Sequence, residues 1–158
     1  MKDHETLIRA FNKIHENNSS TYLILAGSET KNIKSSSGII TLGMCKDMNV
    51  VYSASDIIVS SSAFGEGFSN ALAEGMASSL IPIATNVGDA KLIVGEVGKI
   101  ITPRNMDNLY LAMKELLAMD AYKFEKKKLF ARDRVKKHFS INKMVAAYND
   151  AYKNCIES

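Results

Sequence analysis

Tryptophan is absent from these 158 residues, and cysteine and proline occur only twice each. Cys45 and Cys155 are too few for a disulfide framework, and they lack the spacing of metal ligands. Apolar runs are short, and none approaches the roughly 20 residues that a membrane-spanning helix needs. The opening residues, MKDHETLIRA, do not have the composition of a signal peptide. These absences predict a cytoplasmic chain with reduced thiols.

Patterns that would hold a metal ion or support hydrolysis are also scarce. The sequence contains no Asp-x-Asp, and its three histidines, His4, His15 and His138, stand far apart. No nucleophile and base occur together in a motif for covalent catalysis. We therefore expect neither a metal site nor a cofactor.

Size and composition are those of one globular domain, 1–158, with 46% hydrophobic and 23% charged residues. The net charge of +3 is concentrated in KFEKKKLFARDRVKKH, residues 123–138. A charge run on a helix is usually a solvated face, which here would turn Phe124, Leu129, Phe130 and Val135 inward. We therefore expect no nucleic-acid partner. Peripheral contact with anionic lipid at the inner face of a membrane stays open as the alternative.

Strand and helix patterns alternate along the chain. Strands are predicted at residues 22–26, 39–42, 57–59, 81–84 and 100–101. Helices are predicted at 4–17, 47–54, in the segment after residue 66, and at 105–119, 121–138 and 141–155. Residues 29–37 are predicted to form a loop. This alternation predicts an α/β fold, a Rossmann-like parallel sheet with helices on both faces.

The segment SSSAFGEGFSNALAEGMAS, residues 60–78, carries the clearest chemistry. It reads as the end of a strand, a glycine-bearing turn and the start of a helix, which is how α/β proteins bind phosphate. Glu66 and Glu74 lie eight positions apart, and carboxylates suit hydroxyl groups rather than anions. A ligand that combines phosphate groups with sugar hydroxyls is a sugar nucleotide.

An E-x7-E pair alone would be weak, because nine glutamates produce such spacings by chance. Here the pair lies within an ordered series of segments: KDHETLIRAF, LILAGS, residues 47–56, EGFSNALAEGMA, PIATNVGDAKLIVGEVG and FSINKMVAAY. This series resembles the carboxyl-terminal, donor-binding half of the retaining glycosyltransferases of GT-B fold in family four. The resemblance implies binding of a nucleoside-diphosphate sugar and transfer of a hexosyl group to a saccharide or lipid-linked acceptor.

The resemblance also assigns the charged residues of the site. Glu66 would contact the transferred hexose, Glu74 would accept hydrogen bonds from the ribose, and Lys2 would bind the diphosphate. Charge accumulates on the diphosphate as the glycosidic bond breaks, so its stabilisation is the main catalytic demand. The family pairs that lysine with an arginine a few residues upstream, a position outside these 158 residues.

Backbone contacts complete the implied site. The hexose and diphosphate would be held by Gly65, Gly67, Phe68 and Ser69, with the amides of the last three lying at the start of the motif helix. The base would be read by backbone atoms of Gly43 and Met44. Small residues at Ala71 and Gly75 would let the motif helix approach the sheet. The loop of residues 86–89 also lies at a strand end, but the sequence departs from the family pattern at Asp89 and Leu92.

The family further has a strand before the first helix and an amino-terminal domain that binds the acceptor, and neither is among these residues. We therefore expect the chain by itself to be inactive. Without the strand, an open sheet edge could support self-association. Two alternatives stay open: a degenerate, non-catalytic domain that serves as an interaction partner, and another GT-B enzyme such as a sugar-nucleotide epimerase.

Overall fold

The structure is a computed structural model that describes residues 2–34 and 36–156. The strands are β1 (Leu23–Ala26), β2 (Ile39–Gly43), β3 (Ile57–Ser60), β4 (Ile81–Thr85) and β5 (Lys99–Ile101). The helices are α1 (His4–Asn17), α2 (Met48–Ser53), α3 (Asn70–Ala77), α4 (Ala90–Val94), α5 (Met106–Leu117), α6 (Ala121–Phe139) and α7 (Ile141–Ile156). A 3₁₀ helix spans Ser28–Asn32.

Two elements differ from the sequence prediction. The segment predicted as a loop begins with the 3₁₀ helix, because buried Thr30 donates its hydroxyl to the carbonyl of Gly27 at 2.8 Å and so closes the turn. Helix α4 was not predicted at all. It has only five residues, too few to display a helical period, and glycines of positive φ, Gly88 and Gly95, lie on either side of it.

The strands form two parallel sheets rather than one. β1 pairs with β2, and β4 lies between β3 and β5. Among the described residues, no ladder joins β1 to β3. All residues of β1 and of β3 instead line one cleft between the sheets. The unpaired edges of β1 and β3 therefore both border this cleft.

Helices cover both faces of these strands, as predicted. On one face α1 and α5 pack together on the strands through Leu7, Phe11, Leu109, Met113 and Leu116. On the other face α3, α4 and α6 pack on the three-stranded sheet. The expected contact of Gly75 with the sheet is confirmed, since a Cβ there would lie 2.4 Å from Cδ1 of Ile58.

Helix α1 starts where its sequence predicts, because the Asp3 carboxylate accepts a hydrogen bond from the amide of Thr6 at 3.1 Å. Its buried residues recur at helical spacing, so one face of the helix is apolar. The cap matters for the site, since it fixes where the residues before α1 meet the end of β3.

The basic helix α6 packs differently from the prediction. Its inner stripe runs through Phe124, Lys128, Ala131 and Val135, at helical spacing. Lys128 occupies this stripe because its ammonium pairs with Asp56 at 3.2 Å. Leu129 and Phe130 lie off the stripe and are 60% and 51% exposed, so the prediction that they turn inward was wrong.

Helix α7 contains no buried residue, and its apolar side chains are exposed. A helix that is both long and apolar enough to cross a bilayer does not occur in the described part of the chain.

Candidate functional site

The turn between β3 and α3 is tied to the residues before α1. Ser61 donates its hydroxyl to the carbonyl of Asp3 at 3.1 Å. Lys2 and Ser62 form an isolated antiparallel bridge. Lys2 is therefore held beside the turn that carries Glu66, although the two residues are 64 positions apart in sequence.

Glu66 is the most enclosed acid of the site, with a side chain only 15% exposed. Its Oε1 accepts hydrogen bonds from Ser62 Oγ at 2.5 Å and from the Lys2 ammonium. Burial by itself would raise the pKa of this carboxyl. The hydrogen bonds from Lys2 and Ser62 and the charge of Lys2 outweigh it and hold the pKa below its usual value. Glu66 is thus ionised and positioned.

Two buried hydroxyl groups, those of Ser62 and Thr85, hold Glu66 in place. Ser62 is fully buried, and its carbonyl accepts a hydrogen bond from Thr85 Oγ1 at 2.6 Å. The Thr85 hydroxyl also approaches the carbonyl of Ser60 at 3.3 Å. The Thr85 hydroxyl at the end of β4 therefore fixes the backbone that follows β3. The hydroxyl of Ser62 in turn fixes the carboxylate of Glu66. Neither hydroxyl was predicted, since isolated Ser and Thr carry no pattern.

The loop after β4 also lies directly against the turn. The Asp89 amide donates to the carbonyl of Gly67 at 3.2 Å. A Cβ added to Gly88, whose φ is 55°, would lie 2.3 Å from the carbonyl oxygen of Glu66. The segment 86–89, predicted as a ligand-binding edge, is thus a direct backbone support for Glu66.

The two turn glycines have different roles. Gly65 has a φ of 76°, a conformation that favours glycine. Gly67 needs no such freedom, and a Cβ there would meet no described atom of the protein within 4 Å. The turn therefore presents an open stretch of backbone at Gly67.

Helix α3 begins later than predicted, since the amides of Gly67, Phe68 and Ser69 were expected at its start. Its first residue is Asn70, so Gly67 and Phe68 precede the helix and Ser69 is the N-cap. The amides without an acceptor inside the helix are those of Asn70 and the two residues that follow. Within the described structure, the Ser69 side chain makes no capping hydrogen bond.

Phe68 lies at the surface end of this turn. Its ring centroid is 5.4 Å from that of Phe139 at the end of α6, and it stays partly exposed. Its side chain therefore braces the turn against α6.

Glu74 lies in the middle of α3 and is exposed, in contrast to Glu66. Its Oε2 accepts a hydrogen bond from the hydroxyl of buried Tyr52 at 3.1 Å. Burial first, and then the hydrogen bond and charge of Glu74, raise the pKa of Tyr52 to about 12. Tyr52 was not predicted as a site residue, because it lies 22 positions from Glu74 in the sequence.

Gly43 and Met44 belong to the other sheet. Gly43 ends β2 with a φ of 64°, and its carbonyl accepts from the Gly27 amide at 2.6 Å. Met44 follows it and is 79% exposed. The residues expected to read the base therefore follow the two-stranded sheet, whereas Glu66 and Glu74 follow the three-stranded one.

A second cation lies near Lys2. Lys2, Phe64 and Arg104 line one cavity of about 360 Å³. The Arg104 guanidinium is 5.9 Å from the Phe64 ring centroid, within range of a cation–π contact. Sequence reasoning missed Arg104, whose only signal is its place just after Pro103 at a strand end.

Comparison with known proteins identifies the family of the chain. The sequence model of the family described as Glycosyl transferases group 1 matches residues 1–119. The chain belongs to this family. No curated protein matches the sequence.

Solved structures agree with that placement. A glycosyltransferase from Rickettsia africae is 26% identical, with a TM-score of 0.84 over 99% of this chain and 45% of its own. The carboxyl-terminal domain of the group 1 glycosyl transferase LpcC from Francisella tularensis is 23% identical, with a TM-score of 0.74 over 89% of this chain and 80% of its own. Anabaena HepE, solved with UDP-glucose, is 19% identical, with a TM-score of 0.77 over 95% and 45%.

The last two likenesses concern the fold alone. The chain spans less than half of the Rickettsia and Anabaena proteins. The predicted Rossmann-like α/β fold, like the carboxyl-terminal half of GT-B glycosyltransferases, is confirmed.

The contact between Gly88 and Glu66 gives a first testable prediction. Gly88→Ala should lower the free energy of unfolding more than Gly43→Ala, by about 1–3 kcal/mol, because its methyl group would press on backbone. Gly43 is the matched control: its φ is similarly positive, but an added Cβ has only one neighbour, at 3.9 Å. Urea unfolding measures both, and equal losses would contradict the close contact.

The Tyr52–Glu74 pair predicts a pH effect. Because folding raises the pKa of Tyr52 from 10.0 to about 12, its stabilising contribution is complete below pH 10 and is lost as the pH rises through 12. Ultraviolet difference titration of the protein against Tyr52→Phe should show this phenol ionising near 12. In Glu74→Gln the value should fall but stay above 10, because burial is the larger cause. A Tyr52 that titrates at its ordinary value would contradict the pair.

Proposed function

We propose that this chain is the donor-binding domain of a retaining glycosyltransferase, which holds a nucleoside-diphosphate sugar while an amino-terminal domain presents a saccharide or lipid-linked acceptor. The observation that carries the proposal is a pair of carboxylates, Glu66 in the turn before α3 and Glu74 within α3. Glu66 and Glu74 are held by different partners on either side of an open glycine backbone at Gly67. Membership of the glycosyl transferases group 1 family supports this assignment.

Lys2 and the start of α3 are assigned to the diphosphate. An ammonium group has three donors, so Lys2 can keep its bond to Glu66 and direct another N–H to a phosphate oxygen. The amides of Asn70 and Ala71 at the first turn of α3 point their dipoles toward the same anion. Both stabilise the charge that develops on the leaving diphosphate.

Glu66 is assigned to the hexose. Its lowered pKa makes it an acceptor only, which suits sugar hydroxyls. Both of its bonds within the protein go to Oε1, so we assign Oε2 to the sugar.

Glu74 is assigned to the ribose. The Tyr52 hydroxyl bonds Oε2 and restricts the side chain, so we assign Oε1 to the ribose hydroxyls. The resemblance assigns the base to the backbone of Gly43 and Met44.

We assign no metal ion or cofactor and no covalent nucleophile, and we place the reaction in the cytoplasm. We expect the isolated domain to bind nucleotide without transferring sugar, because acceptor binding belongs to the other domain. UDP-glucose is the first donor to test, since Anabaena HepE was solved with it, followed by GDP-, ADP- and dTDP-sugars.

The two carboxylates should differ in what they recognise. Glu74→Gln should weaken UDP and UDP-glucose alike by roughly tenfold, the loss of about 1.4 kcal/mol. Glu66→Gln should weaken UDP-glucose by a similar factor and UDP less, because only UDP-glucose carries the hexose that Glu66 is assigned to contact. Isothermal calorimetry measures both, with Glu16→Gln on the exposed face of α1 as control. Unchanged affinity in both variants for every nucleotide sugar in the panel would overturn the site assignment.

A substitution at Gly67 distinguishes a ligand-binding role of this residue from a structural one. Because a Cβ there meets no described protein atom within 4 Å, Gly67→Ala should keep the melting temperature of the parent chain. The methyl group would instead occupy the space we assign to the diphosphate, so nucleotide affinity should fall by roughly tenfold or more. An unchanged affinity would show that no ligand lies against this backbone.

A further inference from the structure

The side of α6 that faces away from the inner stripe is exposed along the length of the helix. Three large apolar residues lie there, and Tyr122 is 75%, Leu129 60% and Phe130 51% exposed. Neighbouring apolar side chains that stay in water mark a surface for contact with another body. Helical spacing places six residues on this side, which we call the outer face: Tyr122, Lys126, Leu129, Phe130, Asp133 and Lys137.

Lysines accompany the apolar residues on the outer face. Lys126 and Lys137 are exposed, and neither forms an ion pair with any of the described residues. The Lys126 ammonium is 5.6 Å from the ring centroid of Phe130, within range of a cation–π contact. The aliphatic part of Lys126 therefore lies with the apolar residues while its charge stays in water.

The charge of α6 is strongly unbalanced, with eight Lys or Arg residues against two acids. Two of the cations have partners inside the protein, since Lys128 pairs with Asp56 and Arg134 donates to carbonyls of α4. One of the acids, Glu125, pairs with Lys128 as well. Asp133 is therefore the only acid on the outer face, and the surface around the apolar residues is positive.

This combination selects the class of partner. Nucleic-acid phosphates would pair with the lysines but leave Leu129 in water. A single convex helix face also offers no groove to a peptide. An anionic bilayer matches both parts of the surface, because its headgroup phosphates lie at the level of the ammonium groups and its acyl chains lie below them. An aromatic ring with a hydroxyl, such as that of Tyr122, is favoured at this interface.

We propose that the outer face of α6 is a membrane-contact surface. The helix lies in the plane of a bilayer that contains anionic lipids, with Leu129 and Phe130 inserted below the headgroups and Lys126 and Lys137 bound to phosphates. This inference rests on the surface of α6 alone and does not depend on the proposed function.

The fold relates this surface to the candidate site. α6 packs on α3, and Phe139 at its carboxyl end contacts Phe68 of the turn that precedes α3. A bilayer on the outer face therefore lies roughly one helix diameter, about 10 Å, beyond α3. For the proposed glycosyltransferase, this geometry places the donor site beside the membrane and favours a lipid-linked acceptor over a soluble saccharide. That consequence, unlike the surface itself, rests on the proposed function.

The absence of tryptophan from the sequence allows a direct test. Phe130→Trp places a single fluorophore on the outer face. Leu111→Trp is the matched control, since Leu111 is 58% exposed on α5, which packs on the other face of the sheets. The probe is vesicles of equal parts phosphatidylcholine and phosphatidylglycerol. They should shift the emission of Phe130→Trp to the blue, and brominated acyl chains should quench it. The emission of Leu111→Trp should not change.

Cosedimentation with the same vesicles measures the apolar contribution. The double variant Leu129→Ser, Phe130→Ser should lower the partition coefficient by roughly tenfold, because the groups that enter the acyl region are removed. Its melting temperature should stay close to that of the parent chain, since both side chains are exposed. Leu111→Ser should leave the partition coefficient unchanged.

A second double variant measures the charge contribution without changing the apolar residues. Lys126→Gln, Lys137→Gln should lower the partition coefficient by roughly tenfold or more. Lys31→Gln, Lys46→Gln removes the same charge from exposed positions elsewhere and should have little effect. Vesicles of phosphatidylcholine alone should bind the parent chain at least tenfold more weakly than the anionic vesicles.

The contrary outcomes are distinct. Equal partition into neutral and anionic vesicles, or equal losses in the variants and their controls, would show that this face does not bind anionic lipid. An unshifted Phe130→Trp emission in vesicle-bound protein would show that the face is not inserted. Binding to duplex DNA or RNA that survives Leu129→Ser, Phe130→Ser, without binding to vesicles, would assign the face to nucleic acid. No nucleotide sugar is present in these measurements, so their failure leaves the donor-site assignment untouched.

Discussion

The contact between two backbone segments governs the rest of the site. The turn after β3 rests on the loop after β4, with Gly88 against the carbonyl of Glu66 and the Asp89 amide bonded to Gly67. No side chain intervenes, so the position of the turn follows directly from the register of β3 and β4. The parallel pairing of β3 with β4 thereby fixes where Glu66 and the start of α3 lie relative to the sheet.

Glu66, in the turn before α3, and Glu74, in the middle of α3, have different surroundings. Glu66 is enclosed, and it is kept ionised by an ammonium and a hydroxyl. Glu74 is exposed, and its partner is the buried phenol of Tyr52, which is uncharged at neutral pH. Their hydrogen-bond partners therefore differ as well as their exposure. In the proposed donor complex, this difference suits one carboxylate to the hexose and the other to the ribose.

Periodicity predicted most of the elements, because strands and helices of this chain keep their apolar residues at regular spacing. The Glu66 and Glu74 segment was also predictable, since its strand, glycine turn and helix are local. What escaped prediction depends on contacts between distant residues. Tyr52 and Glu74 are 22 positions apart, and Lys128 reaches Asp56 across 72. The split of the sheet is likewise a property of pairing, which no single segment encodes.

The division into two sheets has a mechanical consequence for the site. Within one sheet, hydrogen bonds hold neighbouring strand ends at a fixed spacing, near 4.8 Å. The turn after β2, with Gly43, and the turn after β3, with Glu66, share no such ladder in the described structure. Their separation is set by the side chains of α1, which pack on both sheets through Phe11 and its neighbours. Van der Waals contact restricts a spacing less tightly than a hydrogen-bonded register does. The distance between these two turns is therefore less tightly fixed than the spacing of strands within either sheet.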